Sequence, residues 1–266
     1  MSLLIGHGYV GRYVSRILTD QGIDHDWMNH TEVLMTPNKY DFIINAAGHT
    51  GTPNVDACEV QRVACLKGNV QFPLNLHAHF DCPILHITSG CVYTGYTQGG
   101  WMEYDKPNFN MDNGSFYSGT KALFQEMWED VVNDQGYLFR IRMPFGADNN
   151  DKNLLTKLRK YPKLVNFENS VSNVEDVALA AVFFYLNRPK PGIYNVCNPG
   201  SITTYQIAEM LRLDKEWYDH DAFMGAVRAP RSNCVLNTDK IMSVYPLERA
   251  TESIYKCVKF LDSIPF

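Results

Sequence analysis

No apolar run in this sequence is long enough to cross a bilayer. The longest, such as Val177–Leu186, fall far short of the about 20 residues that a membrane-spanning helix requires. A C-x-x-C pair is also missing. The 7 cysteines, at 58, 65, 82, 91, 197, 234 and 257, are odd in number and irregular in spacing. That excludes a zinc ribbon and a disulfide framework, and fits a reducing, cytoplasmic setting. Basic charge is not in excess: 24 Lys and Arg face 29 Asp and Glu, a formal net charge of -5. No basic surface for nucleic acid is expected, and no membrane partner. The N-terminus lacks a basic region and a cleavage site, so no signal peptide is expected. His77 and His79 form H-x-H on an expected helix. Residues two apart on a helix face different ways, so no shared metal is expected there, and no other metal set is seen.

The sequence does supply 266 residues with 45% hydrophobic content, enough for one large domain or one with a small lobe. Short apolar runs at Met1–Ile5, Ile23–Met28, Asp41–Asn45, Pro83–Thr88, Leu138–Met143 and Gly192–Cys197 read as strands. Helical patterns lie between them: Tyr13, Val14, Ile17 and Leu18 with Gly22 as C-cap, then Val60–Phe80 kinked at Pro73. Next come Phe116–Gln135, with Leu123, Met127 and Val131 on one stripe, and Lys152–Tyr161. Val174–Asn187, a helix capped by Thr203 or Thr204 and running to Arg212, and Thr251–Leu261 complete the set. Alternating strands and helices predict an α/β fold, a Rossmann-type doubly wound parallel sheet. Residues 1–144 and 176–197 are expected to form it, with 145–175 and 198–266 as a small C-terminal substrate lobe. Ligands sit at the carboxyl ends of such strands. The small-residue clusters at 6–11, 46–51, 88–91 and 144–146 all follow expected strands, so they converge on one edge of the sheet.

Gly6-x-Gly8-x-x-Gly11 follows a strand and opens a helix, the context of a dinucleotide fingerprint. The first glycine permits the turn, the second lets backbone amides approach a pyrophosphate, and the third lets helix and strand pack closely. NAD would call for an acid at the tip of the second strand. The residues there are Trp27-Met28-Asn29-His30-Thr31, with Asp26 early, and Arg12 follows the last glycine. Both features favour NADPH over NADH. Tyr117 and Lys121 stand four apart on an expected helix, hence on one face. Alone that pair is common on solvated helix surfaces. With the fingerprint and Ser89 at a strand end it reads as carbonyl reduction. A nearby ammonium should make the phenol a better acid, and Ser89 should hold the carbonyl oxygen.

These residues and several longer segments resemble the extended short-chain dehydrogenase/reductases that act on nucleotide sugars. The segments are Asn45-Ala-Ala-Gly-His-Thr-Gly-Thr-Pro-Asn-Val-Asp56, Ser89-Gly-Cys91, Glu103-x-Asp105-Lys-Pro-Asn108, Gly114–Ser118, Arg140–Pro144, Asn195–Gly200 and Ala229-Pro-Arg-Ser-Asn233. Within that family the chain is similar to the bifunctional 3,5-epimerase/4-ketoreductases of UDP-L-rhamnose synthesis. The resemblance implies a UDP-4-keto-6-deoxy-D-glucose substrate, a nucleotide-diphosphate sugar, and NADPH as hydride donor. It implies catalysis by Ser89, Tyr117 and Lys121, with Cys91 and Lys157 as the acid/base groups of epimerisation. The cofactor is then expected against Gly6, Gly8, Tyr9, Val10, Gly11, Arg12, Ala46, Ala47, Gly48, Tyr117, Lys121 and Met143. The sugar nucleotide is expected against Ser89, Cys91, Tyr117 and Arg231, the arginine pairing with its diphosphate. A homodimer through helices near 60–80 and 116–135 follows from analogy of fold. Segment 31–40 is shorter than the family's helix there. Rival readings are a dTDP-4-keto-L-rhamnose reductase alone, a GDP-L-fucose-forming relative, and a non-catalytic NADP-binding regulatory subunit. Cys91 argues against the first, Lys157 in place of a histidine against the second, and the intact Ser89–Tyr117–Lys121 set against the third.

Overall fold

Ser2–Ile5, buried at every position, forms the first strand, β1. The computed structural model describes residues 1–52, 54–131 and 135–263, and gives no side-chain placement for Val131. Helix α1, Tyr9–Asp20, follows. Gly22, at φ +68°, closes it: its N–H and that of Ile23 bond back to the carbonyls of Thr19 and Leu18, each at 2.9 Å, a left-handed helix end that glycine adopts without strain. Strand β2 is His25–Met28 and β3 is Phe42–Asn45. Between them stands a 3₁₀ turn at Val33–Met35.

The expected helix 60–80 is divided. Helix α2, Arg62–Leu66, widens into a π turn at Lys67–Gln71 and resumes as α3, Phe72–His79. Pro73 has no N–H to donate and its ring crowds the preceding turn. The distortion therefore falls ahead of the proline, where the backbone opens to receive it. Strand β4 is Ile84–Ser89 and helix α4 is Phe116–Val131. The remainder of the helix expected to Gln135 falls at 132–134, outside the described residues. Strand β5, Tyr137–Ile141, stops short of the expected Met143 because Met143 takes φ +38°, which no strand accommodates. Helix α5 is Leu154–Lys160, α6 is Val174–Asn187, and α7 is Thr204–Met210 with a Thr203–Gln206 capping box. The expected run of α7 to Arg212 fails because Arg212 sits at φ +53°.

The central sheet has six strands in the order Gly192–Asn195, β5, β4, β3, β1, β2, all pairs parallel. The structure is therefore the expected Rossmann-type α/β sheet. Successive side chains point to opposite faces, and both faces are covered. Leu4, Phe42, Ile44 and Phe139 pack with Val14 and Leu18 of α1 and Ala181 and Phe184 of α6. Leu3, Ile5, Ile43 and Ile84 pack with Leu76 and Phe80, while Phe124 and Trp128 of α4 cover Leu138. A further apolar cluster gathers Phe145, Leu154, Leu155 and Leu158 with Ile202, Ile207, Ile254 and Val258. The closing helix, Ala250–Ser263, belongs to that cluster. All seven cysteines are free thiols. Among the described residues, no helix is long and apolar enough to cross a membrane, and no three His, Cys, Asp or Glu side chains gather to hold a metal.

Candidate active site

The strand order reverses between β1 and β3, which leaves a crevice beyond their carboxyl ends. The turns after β1, β3, β4 and β5 all open on one cavity of about 540 Å³ there. Gly8, Tyr9 and Val10 line it, with Ala46, Ala47 and Gly48 of the adjoining turn. Gly6 and Gly11 stand behind this wall. Gly6 takes φ +101°, and a Cβ on it would meet the Ala47 nitrogen at 2.8 Å; a Cβ on Gly11 would meet the Gly6 carbonyl oxygen at 2.1 Å. Gly8 differs, since a Cβ there would meet nothing within 4 Å. The turn thus offers a bare backbone at the mouth of a helix, which suits a pyrophosphate. Arg12, expected against the cofactor, is exposed and donates to the His7 carbonyl at 3.2 Å. It faces an outer cleft with Tyr13 and Arg16.

Asp26 stands opposite Leu3 in the β1–β2 register, two residues short of the strand end at Met28. Its carboxylate accepts from Tyr40 Oη at 2.7 Å and pairs with Lys39 Nζ at 3.2 Å. Those two partners hold it below the usual carboxylate range. No acid occupies the tip itself, where Asn29 and His30 follow Met28.

Ser89, Cys91, Tyr117, Lys121, Lys157, Met143 and Arg231, each expected at the site, line this same cavity. Ser89 Oγ accepts the Cys91 N–H at 3.2 Å and caps the 3₁₀ turn Gly90–Val92, which fixes the hydroxyl beside Tyr117 and Cys91. Tyr117 and Lys121 project from the first turns of α4. The Lys121 ammonium stands 5.9 Å from the Tyr117 ring centre. Burial, reinforced by Cys91, pushes the phenol well above its ordinary value, and the hydrogen bond with Ser89 pulls the other way. The expected lowering by Lys121 is not borne out: desolvation of the phenolate dominates the shift. The phenol stays protonated, as a proton donor must. Burial also lowers the Lys121 ammonium.

Cys91 is buried, 8% exposed. Burial raises its thiol, while Ser89, Ser118, Arg142 and Lys121 act to lower it. Lys157 is half-buried on α5, whose N-terminus is capped by Asn153. Burial lowers its ammonium, and the charges of Lys152 and Arg231 add to the effect. It is therefore not a solvated surface lysine. Arg231 forms a fork with Asp56, Nη1 to Oδ1 at 2.8 Å and Nη2 to Oδ2 at 2.9 Å. The Ala229 N–H joins Oδ1 at 2.8 Å. Two segments far apart in sequence are so joined at the cavity wall, and the expected diphosphate ligand is held by a carboxylate.

Several site residues escape sequence reasoning. Asn69 sits inside the π turn, donates to Thr120 at 3.1 Å and to the His49 carbonyl at 2.9 Å, and fixes the floor beside Gly48 and Lys121. Arg142 lines the cavity and holds Ser232, Nη1 to Oγ at 3.1 Å. Lys152 reaches the Gly51 carbonyl at 3.0 Å. Their one signal was proximity to segments already singled out. Glu103, Arg140 and Asn195 line no part of the cavity. They belong to a buried scaffold in which the fully buried Arg140 donates to Gln125 and the Glu103 carbonyl, and Glu103 accepts the Asn195 N–H.

No protein-family model matches the chain. It is 30% identical, over 94% of its length, to a bifunctional dTDP-4-dehydrorhamnose 3,5-epimerase/dTDP-4-dehydrorhamnose reductase of Arabidopsis thaliana, and covers 89% of that protein. The chain belongs to this family of nucleotide-sugar reductases. It is also 30% identical, over 90% of its length, to a trifunctional UDP-glucose 4,6-dehydratase/UDP-4-keto-6-deoxy-D-glucose 3,5-epimerase/UDP-4-keto-L-rhamnose-reductase of the same plant, and spans 39% of that relative's length. The crystal structure of the L780 UDP-rhamnose synthase from Acanthamoeba polyphaga mimivirus superposes with a TM-score of 0.88 at 26% identity, covering 98% of this chain and 99% of that one.

Proposed function

We propose that the chain converts UDP-4-keto-6-deoxy-D-glucose to UDP-L-rhamnose by 3,5-epimerisation and then reduction of the 4-keto group, with NADPH as cofactor. One observation carries this reading. The reductase set Ser89, Tyr117 and Lys121 shares a single cavity with a buried thiol, Cys91, and a half-buried amine, Lys157. Reduction of a ketone needs the first three alone. Inverting C3 and C5 needs a proton taken from one face and one returned on the other, which calls for further acid/base groups.

Gly8–Val10, Ala46–Gly48, Lys121 and Met143 would hold the dinucleotide. When bound, NADPH supplies a hydride. Ser89 donates a hydrogen bond to the C4 oxygen, Tyr117 delivers the proton to that oxygen, and Lys121 orients the ribose side of the site. NADPH is preferred to NADH because Asp26 is committed to Tyr40 and Lys39 rather than free to receive ribose hydroxyls. The Arg231–Asp56 fork stiffens the rim, and the diphosphate lies against the cavity's lysines. Exposed Val60, Val63 and Leu66 on and before α2, with Met127 on α4, are the surface through which two copies would pair in the cytoplasm.

The test is direct. The protein is given UDP- or dTDP-4-keto-6-deoxyglucose with NADPH or NADH, and the sugar formed is identified. UDP-L-rhamnose made faster with NADPH is expected. Turnover of only the pre-epimerised ketone would reduce the activity to 4-ketoreduction, and a preference for the dTDP sugar would replace UDP.

A further inference from the structure

Helices α1 and α5 pack in different apolar clusters, yet one carboxylate ties them together. Tyr9 and Tyr13 lie one turn apart on α1. Both phenols donate to Oδ2 of Asp148, at 2.9 and 2.5 Å. Asp148 Oδ1 accepts the Asn150 N–H at 2.7 Å. Asn153 Nδ2 then donates to the carbonyls of Asp148 and Gly146, at 2.7 and 2.8 Å. The other end of the Asn153 amide caps α5, Oδ1 accepting the Leu155 N–H at 2.9 Å. One turn on, the Lys157 N–H bonds to the Asn153 carbonyl at 3.0 Å. Hydrogen bonds thus run without a break from the nucleotide turn to the helix that carries Lys157. Gly146 allows the approach, since a Cβ there would meet Tyr9 Oη at 2.9 Å and Tyr13 Oη at 3.0 Å.

Tyr9 has two faces. It lines the cavity beside Gly8 and also holds Asp148. Tyr13 holds Asp148 but lines no part of that cavity. Burial and the adjoining carboxylate keep both phenols protonated far above neutral pH, so both act as donors.

We propose that Asp148 is a positioning residue that transmits the seating of the dinucleotide against Tyr9 to α5, so that Lys157 takes its working place when the cofactor is bound. This rests on the reading of Lys157 given above. By linkage the effect is reciprocal: whatever cofactor binding does to Lys157, fixing Lys157 does to cofactor affinity, commonly about 5–150-fold for coupled sites.

The test reads Lys157 itself. The whole protein is treated with an amine-acylating reagent with and without NADP⁺, and acylation of Lys157 is followed by mass spectrometry, with NADP⁺ affinity measured by calorimetry. In the native protein NADP⁺ should change the Lys157 rate by about fivefold or more. Asp148→Asn should abolish most of that change while still binding NADP⁺; Tyr13→Phe, which leaves the Tyr9–Asp148 bond in place, should diminish it less and retain the native kcat for reducing an already epimerised ketone. An undiminished change in both variants would mean that the nucleotide merely covers Lys157, and would overturn the proposal. So would a native rate indifferent to NADP⁺. Deuterium exchange into the sugar is measured alongside. If native protein catalyses none, the epimerase reading fails, whereas the acylation comparison still decides the role of Asp148.

Discussion

Tyr117→Phe should lower the rate of ketone reduction by about 10²–10⁴-fold, the usual worth of a positioned general acid. The assay is NADPH oxidation with the epimerised 4-keto sugar, where inversion plays no part. Cofactor binding should survive, because only a hydroxyl is lost and the ring remains in the cavity wall. Lys121→Met should weaken both turnover and NADPH binding, since its ammonium stands against Gly48 in the nucleotide wall. The pH dependence follows from the sign of the shift. Burial raises the phenol well above its ordinary value, so the acid remains protonated from neutral pH upward, and reduction should not fall on its account until strongly alkaline pH. Reduction by Tyr117→Phe at a near-native rate would remove this tyrosine from the chemistry.

Cys91→Ser and Lys157→Met should each suppress the washing of deuterium into C3 and C5 of UDP-4-keto-6-deoxyglucose in heavy water without NADPH. Exchange requires acid/base groups but no hydride, so the native protein should show it and Tyr117→Phe should lose it less. The loss should approach that of a general acid or base, about 10²-fold or more. Reduction of the epimerised ketone should be spared in both variants. Burial moves the amine of Lys157 down and the thiol of Cys91 up. A base works when it has lost its proton, so exchange should climb with pH as whichever group serves as base deprotonates. Normal rhamnose formation by Cys91→Ala would make the thiol a packing residue.

The sheet was legible because β1 and β3 are nearly all-apolar and the turns after β1, β3, β4 and β5 carry small residues; β2, His-Asp-Trp-Met, has neither signal. The π turn at Lys67–Gln71 was not, because the sequence shows a proline and not where the backbone yields to it. Met143 ends β5 through a positive φ, a conformation that side-chain periodicity does not encode. The placement of Ser89, Tyr117 and Lys121 follows from strand ends and helix spacing, so local rules suffice. Their protonation does not, since desolvation depends on which distant segments close over the site. Arg231 makes the same point: its charge is visible in sequence, but its partner Asp56 lies far away along the chain.

The glycine turn after β1 separates two kinds of selection. Gly6 and Gly11 press against backbone atoms, where an added methyl has nowhere to go; such overpacking commonly costs about 1–3 kcal/mol. Gly8 faces open space, so a methyl there burdens the ligand and not the fold. In a variant library sorted by cellular abundance, substitutions at Gly6 and Gly11 would drop out with those in the core, while Gly8 variants would persist. Sorted by turnover, all three would be lost. The difference between the two sorts, position by position, marks which atoms of the turn the chain needs for itself and which it holds bare for another molecule.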